Sequence, residues 1–133
     1  MQMAARVSEN VYESIGAAPA VQAVVGAPLS GVEFFGARDE GMLLQFGGSR
    51  LEIMAGTPIQ ASLRGNPVGP DELHAALYSA SGSPVSGLAV ERGRRLTIEF
   101  AAGLVLTVSL KPQERAGLES AAYYDEAWRY EAY

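Results

Sequence analysis

Nine residues, Gly26-Ala-Pro-Leu-Ser-Gly-Val-Glu-Phe34, return 56 positions later as Gly82-Ser-Pro-Val-Ser-Gly-Leu-Ala-Val90. A segment that occurs twice must bury two similar apolar faces, which restricts the fold more than any composition can. The correspondence continues: Met42-Leu-Leu-Gln-Phe46 answers to Leu96-Thr-Ile-Glu-Phe100, and Leu51-Glu-Ile53 to Leu106-Thr-Val108, with extra residues in the first copy's turn. The pattern predicts an internal duplication spanning about 17–63 and 70–111, within one domain covering 1–133. A chain of 133 residues that is 48% hydrophobic is large enough to bury one core without staples.

Both copies alternate strictly between apolar and polar residues. Val32 and Phe34, then Met42, Leu44 and Phe46, then Leu51 and Ile53 are matched by Leu88 and Val90, then Leu96, Ile98 and Phe100, then Leu106, Val108 and Leu110. Period two marks antiparallel strands with one buried face. The other face carries Glu33, Gln45, Glu52, Glu91, Thr97, Glu99, Thr107 and Ser109. Arg38-Asp-Glu-Gly41 and Arg92-Gly-Arg94 read as the first hairpin turn of each copy, Gly47-Gly-Ser49 and Ala101-Ala-Gly103 as the second. Thr57–Leu63 is expected to add an edge strand, followed by a Gly/Pro loop over Arg64–Gly69.

A helix is expected from Pro70, because proline suits the first turn, Asp71 and Glu72 complement its dipole, and Leu73, Ala76, Leu77 and Ala80 fall on one stripe. Ala4–Ile15 and Ala20–Val25 look helical before the first copy. Each unit therefore reads as a helix followed by three strands. The expectation is an α+β domain, a mostly antiparallel sheet with helices packed on one face. The tail, 119–133, is compatible with either a helix or a strand.

No catalytic constellation is visible. Without cysteine and with a single histidine, thiol nucleophiles, disulfides and zinc sites built on Cys or paired His are excluded. His74 has no ligand-spaced partner on its helix face. Ser30, Ser83 and Ser86 sit in Gly/Pro turns rather than a nucleophile elbow, and no phosphate-cradling glycine loop occurs. The carboxylate pairs Asp39/Glu40 and Asp71/Glu72 fit a hairpin tip and a helix start. The reading is a non-enzyme without cofactor or metal. Arg92, Arg94 and Arg95 form the one basic cluster, and a formal charge of −5 opposes nucleic acid and favours a basic partner.

Tyr123, Tyr124, Trp128, Tyr130 and Tyr133 are five of eleven aromatic residues and stand in the last eleven positions with Asp125, Glu126 and Glu131. Rigid rings among carboxylates suit a protein-binding surface, with Tyr124, Asp125, Glu126, Trp128 and Tyr130 as its candidates. The alternative is a closing strand in which Trp128 and Tyr130 cap the core. The start of the chain carries Arg6, Glu9 and Glu13 where a secretory signal needs an apolar run, and 14–32 is too rich in Pro and Gly to span a membrane. A cytoplasmic protein is expected, and the preference for Arg over Lys suggests a bacterial source.

The paired segments Gly26–Ile53 and Gly82–Val108, together with Tyr124-Asp-Glu-Ala-Trp128, resemble a group of small bacterial proteins of duplicated β units ending in a Tyr-Glu-Ala-Trp-like motif. Some of that group are suspected immunity proteins of polymorphic toxin systems. This chain departs from the pattern by Asp125 before Glu126, and by Gly47-Gly48 and Ala101-Ala102 where acidic residues stand in the second turns. The resemblance implies an inhibitor that covers a toxin's active site and carries no catalytic residue. The alternatives are a small-molecule-binding or regulatory module using a pocket between helix and sheet, and a structural homo-oligomer such as a homodimer.

Overall fold

The structure, a computed structural model, describes Val11 and residues 18–38 and 40–133. The described residues form ten strands: β1 (Gly31–Phe35), β2 (Gly41–Phe46), β3 (Ser49–Ile53), β4 (Ile59–Leu63), β5 (Asn66–Val68), β6 (Val85–Glu91), β7 (Arg95–Phe100), β8 (Leu104–Ser109), β9 (Ala121–Tyr124) and β10 (Tyr130–Ala132). Among the described residues there is one α-helix, α1 (Leu73–Ser79), which follows a 3-10 turn at Pro70–Glu72. The α+β class and the antiparallel pairing expected from the sequence are present, as are all four hairpin turns.

The sheet arrangement differs from the expectation. There are two five-stranded sheets, ordered β1-β2-β3-β9-β10 and β5-β4-β8-β7-β6. Each three-stranded meander is completed by a hairpin from the other half of the chain: β4 and β5 leave the first unit to pair with β8, and β9 and β10 leave the second to pair with β3. Alternation fixes which face of a strand is buried but not which strand lies beside it, so this exchange was invisible in the sequence. Thr57–Leu63 is consequently no edge, because β4 lies between β5 and β8. The segment expected as a loop holds a two-residue turn, Arg64-Gly65, and the edge strand β5, where Pro67 is tolerated because an edge position can lack a ladder N–H.

Two repeated segments bind each other where the units meet. The Leu29 N–H donates to the Ser83 carbonyl and the Val85 N–H to the Ala27 carbonyl, each at 3.0 Å. The Gly82 N–H donates to the Leu29 carbonyl and the Gly26 N–H to the Val85 carbonyl, each at 2.8 Å. Within each pair, one bond becomes the other when every residue is shifted by the 56-position spacing of the repeat and the two units change places. Gly26 and Gly82 turn the chain here at φ +90° and +83°, a conformation that costs glycine nothing and other residues about 1–2 kcal/mol. The seryl hydroxyls keep the same relation: Ser30 donates to the Gln45 carbonyl at 3.1 Å and Ser86 to the Glu99 carbonyl at 3.2 Å.

Buried residues of both sheets form one core, in which Leu29, Leu44, Leu51, Ile53, Leu96, Ile98, Leu104, Leu106 and Val108 are fully enclosed. The helical segments close it. Val21 and Val24, from a 3-10 turn at Ala20–Val24, and Leu77 and Ala80, from α1, are buried at positions one repeat length apart. Ala20–Val25 is thus a single tight turn rather than an α-helix, since Pro19 before it and an extended Val25 after it leave no room for more. The helix expected at Ala4–Ile15 and the residue Asp39 lie outside the described residues, apart from Val11, which bridges Tyr130. No helix among the described residues is long and apolar enough to cross a membrane.

Because each sheet borrows a hairpin from the other unit, damage to one must reach both. Leu106, enclosed in the second sheet between Ala61 and Ile98, is expected to cost about 2–5 kcal/mol when replaced by Ala. Urea unfolding of Leu106→Ala followed by the fluorescence of Trp128, which belongs to the first sheet's terminal hairpin, and by far-ultraviolet circular dichroism should give coincident, equally shifted midpoints.

Candidate functional site

The tail that the sequence left open is a hairpin of β9 and β10, and period two divides its aromatic residues between two faces. Tyr123 points inward beside Leu51 and is buried, as is Tyr133. Tyr124 points outward, opposite Arg50 on one side and Tyr130 on the other. The outer face of the first sheet therefore carries a cross-strand row of Gln45, Arg50, Tyr124 and Tyr130. The Tyr124 and Tyr130 ring centroids lie 5.7 Å apart. Burial, followed by the charges of Glu52 and Glu119, raises the Tyr124 phenol above its ordinary pKa.

Residues 125–129 link the two strands. The Trp128 N–H donates to the Asp125 carbonyl at 3.0 Å and the Asp125 N–H to the Arg129 carbonyl at 2.9 Å. This geometry places Trp128 in the left-handed region at φ 63°, where a hairpin of this kind usually has glycine. The indole is 58% exposed, with the Arg50 guanidinium 3.7 Å above its centroid and Tyr124 edge-on at 6.2 Å. A bulky ring held outward on a strained backbone is uncommon, and such strain concentrates at functional positions.

The other candidates take different parts. The Asp125 carboxylate accepts the Ala127 and Arg129 N–H groups and pairs with the Arg129 guanidinium, all at 2.9 Å, so it builds the turn. Glu126 is exposed, and its aliphatic stem lies across Gly48, where a Cβ would come within 2.5 Å of Glu126 Cγ. A side chain at 48 would require the exposed Glu126 stem to move aside. Glu33, Glu52, Glu119 and Glu126 are acids on or near this face, and none is in an ion pair among the described residues. Arg50 was missed by sequence reasoning because only the long-range β3–β9 pairing brings it to the aromatic row.

Glu131, counted from the sequence among the tail's surface acids, belongs to the interior. Paired opposite Tyr123, it faces inward at 5% exposure and accepts the Ala20 N–H at 2.9 Å, the Tyr133 hydroxyl at 2.5 Å and Arg92 at 3.1 Å. The Tyr133 hydroxyl also accepts the Val21 N–H at 3.1 Å. This network ties the Ala20–Val24 turn, the β6–β7 turn and the tail together, and it satisfies a carboxylate that would otherwise be costly to bury. The basic cluster is dispersed, with Arg92 on Glu131 and Arg94 and Arg95 on Glu91. The Arg95 hydrogen bond holds the Glu91 carboxyl below its usual range. His74 stacks on Phe34 at 3.6 Å, and no cluster of potential metal ligands occurs among the described residues.

The second sheet shows what the fold requires at the same places. Its corresponding outer row is Glu99, Val105, Ser62 and Pro67, and its terminal hairpin turns in two residues, Arg64-Gly65. One topology is thus built with three outward aromatic rings in one sheet and without them in the other, whose terminal turn also holds a left-handed residue, Arg64 at φ 49°.

Two outcomes follow. Trp128→Gly relieves the left-handed strain while Trp128→Ala keeps it, so the glycine variant should be the more stable of the two by about 1 kcal/mol in chemical denaturation. Burial, then the bond to Glu131, raises the Tyr133 phenol well above its ordinary value of 10.0, so the folded state favours the neutral form. The resulting stability is complete below about pH 10 and is lost as the pH climbs above that value toward the native pKa. Tyr133→Phe should be less stable than wild type at pH 8, yet lose less stability between about pH 10 and 12, in denaturation measured across that range.

Compared with protein-family models, with curated proteins and with solved structures, the chain matches none.

Proposed function

We propose that this chain is a non-enzymatic protein-binding module whose partner docks on the outer face of the first sheet, around Trp128, Tyr124 and Tyr130. The observation that carries the reading is the contrast between the sheets: Arg50, Tyr124, Tyr130 and Trp128 crowd one outer face where Val105, Ser62, Pro67 and a two-residue turn suffice on the other. Aromatic side chains and arginine dominate binding energy in protein interfaces, and a ring held by strained backbone arrives pre-ordered.

Charge supports a basic partner. Arg50 stacks on the Trp128 ring and Arg129 is tied to Asp125, while three carboxylates, Glu52, Glu119 and Glu126, lie near the rings and their turn. With a net charge of −5, such a face attracts a basic surface and repels nucleic acid. The finer reading is an immunity protein acting in the bacterial cytoplasm, its acidic, aromatic face covering the cationic cleft of a toxin domain. The 56-residue correspondence is read as an internal duplication, after which one hairpin tip acquired the binding residues.

The test is affinity capture from the source bacterium with wild type and with a Tyr124→Ser, Trp128→Gly, Tyr130→Ser variant, which removes the three rings, places at 124 the serine found at Ser62 and keeps the turn geometry at 128. A basic protein should be retained by wild type and lost by the variant. Its measured affinity should fall by at least about 30-fold for Trp128→Gly alone, the effect of losing a contact worth about 2 kcal/mol. Equal retention by both proteins would place the interface elsewhere. An inhibitor should also block the captured partner's activity at stoichiometric concentration, and a partner left fully active would overturn the immunity reading.

A further inference from the structure

Between the outermost strands β1 and β5, beside the start of α1, lies a cleft of about 340 Å³. Its floor consists of Phe34, Ile59, Ala61, Val68 and Leu73, side chains that pack against the core yet remain partly open. Its polar lining comes from Arg38, Glu40, Asp71 and His74. Apolar surface left uncovered inside a concave site, with a few polar groups at its edge, is the usual form of a small-molecule pocket.

The rest of the molecule shows what such a space accepts. In strand register, Ala61 stands beside Leu106 as Tyr123 stands beside Leu51, and Val68 pairs with Ala61 as Glu131 pairs with Tyr123. On the Tyr123 side the corresponding residues, Ala121, Tyr123 and Glu131, are buried, and Arg92 and Tyr133 complete the seal. On the Ala61 side a methyl group stands where the other half has a phenol. The opening is therefore a difference between two otherwise corresponding flanks of one core.

We infer that this cleft is a binding site for a small aromatic molecule bearing a hydrogen-bond donor. The ring takes the space above Ala61 and Val68, which a phenol fills on the opposite flank, and the stacked Phe34 and His74 rings form an aromatic wall beside it. Among the described residues, two carboxylates, Glu40 and Asp71, against one guanidinium, Arg38, select a phenolic hydroxyl or an amine over a carboxylate. The site stands apart from the Tyr124, Trp128 and Tyr130 face and does not depend on the function proposed for it.

Titration of isotope-labelled protein with phenol, tyramine and benzoate, followed by amide chemical shifts, tests the inference. Phenol and tyramine should shift the amides of Ala61, Val68, Leu73 and His74 saturably, and benzoate should bind at least roughly tenfold more weakly than tyramine, a difference of about 1.4 kcal/mol. Ala61→Tyr, which restores the phenol found on the other flank, should weaken tyramine at least tenfold, and Val68→Phe, which narrows the cleft from β5, serves the same purpose if Ala61→Tyr does not fold. The inference is overturned if no probe gives saturable shifts there, if benzoate equals tyramine, or if the filled variants bind as wild type does.

Discussion

The pairing of β3 with β9 and of β4 with β8 is the constraint on which the rest of the structure depends. Each pairing joins a strand of one unit to a hairpin contributed by the other, so neither three-stranded meander is completed by its own continuation. A meander of that size with one apolar face needs both lateral partners and a second layer to exclude water. Here both come from the other half of the chain. The four hydrogen bonds between the repeated Gly-x-Pro-x-Ser-Gly segments hold the two units in the relation that this exchange requires.

The two sheets match in strand order, so the positions at which their residues differ stand out. Where the two halves carry similar residues, as in Leu44 and Ile98 or Val21 and Leu77, those residues are buried in the shared core. Where they differ, the differences have visible consequences. Tyr124, Trp128 and Tyr130 make one outer face aromatic, and Glu131, Arg92 and Tyr133 seal one flank with a satisfied ionic network. Ala61 and Val68 leave the opposite flank partly open. The proposed protein-binding face and the inferred cleft both arise at these departures from equivalence.

The exposed Trp128 illustrates how strain and display are joined. Its left-handed backbone is a cost that glycine would avoid, and the turn persists because Asp125 satisfies two backbone N–H groups and one guanidinium at once. The acid adjacent to the aromatic residues is thus structural at 125 and free for electrostatics at 126. The two carboxylates are neighbours in sequence, but the hairpin gives them unlike work.

By itself, the sequence determined the strands of both meanders, their four turns, the helix from Pro70 and the repeat, because alternation, turn chemistry and capping act within a few residues. It also brought together the outward rings of the terminal segment as candidates. Tertiary structure alone decided that there are two sheets, that β4 is interior, that Glu131 and Tyr133 are buried, and that Arg50 joins Tyr124 and Trp128. Those outcomes rest on pairings between residues as far apart as Arg50 and Tyr124, and strand alternation specifies a face without naming the neighbour that will lie beside it.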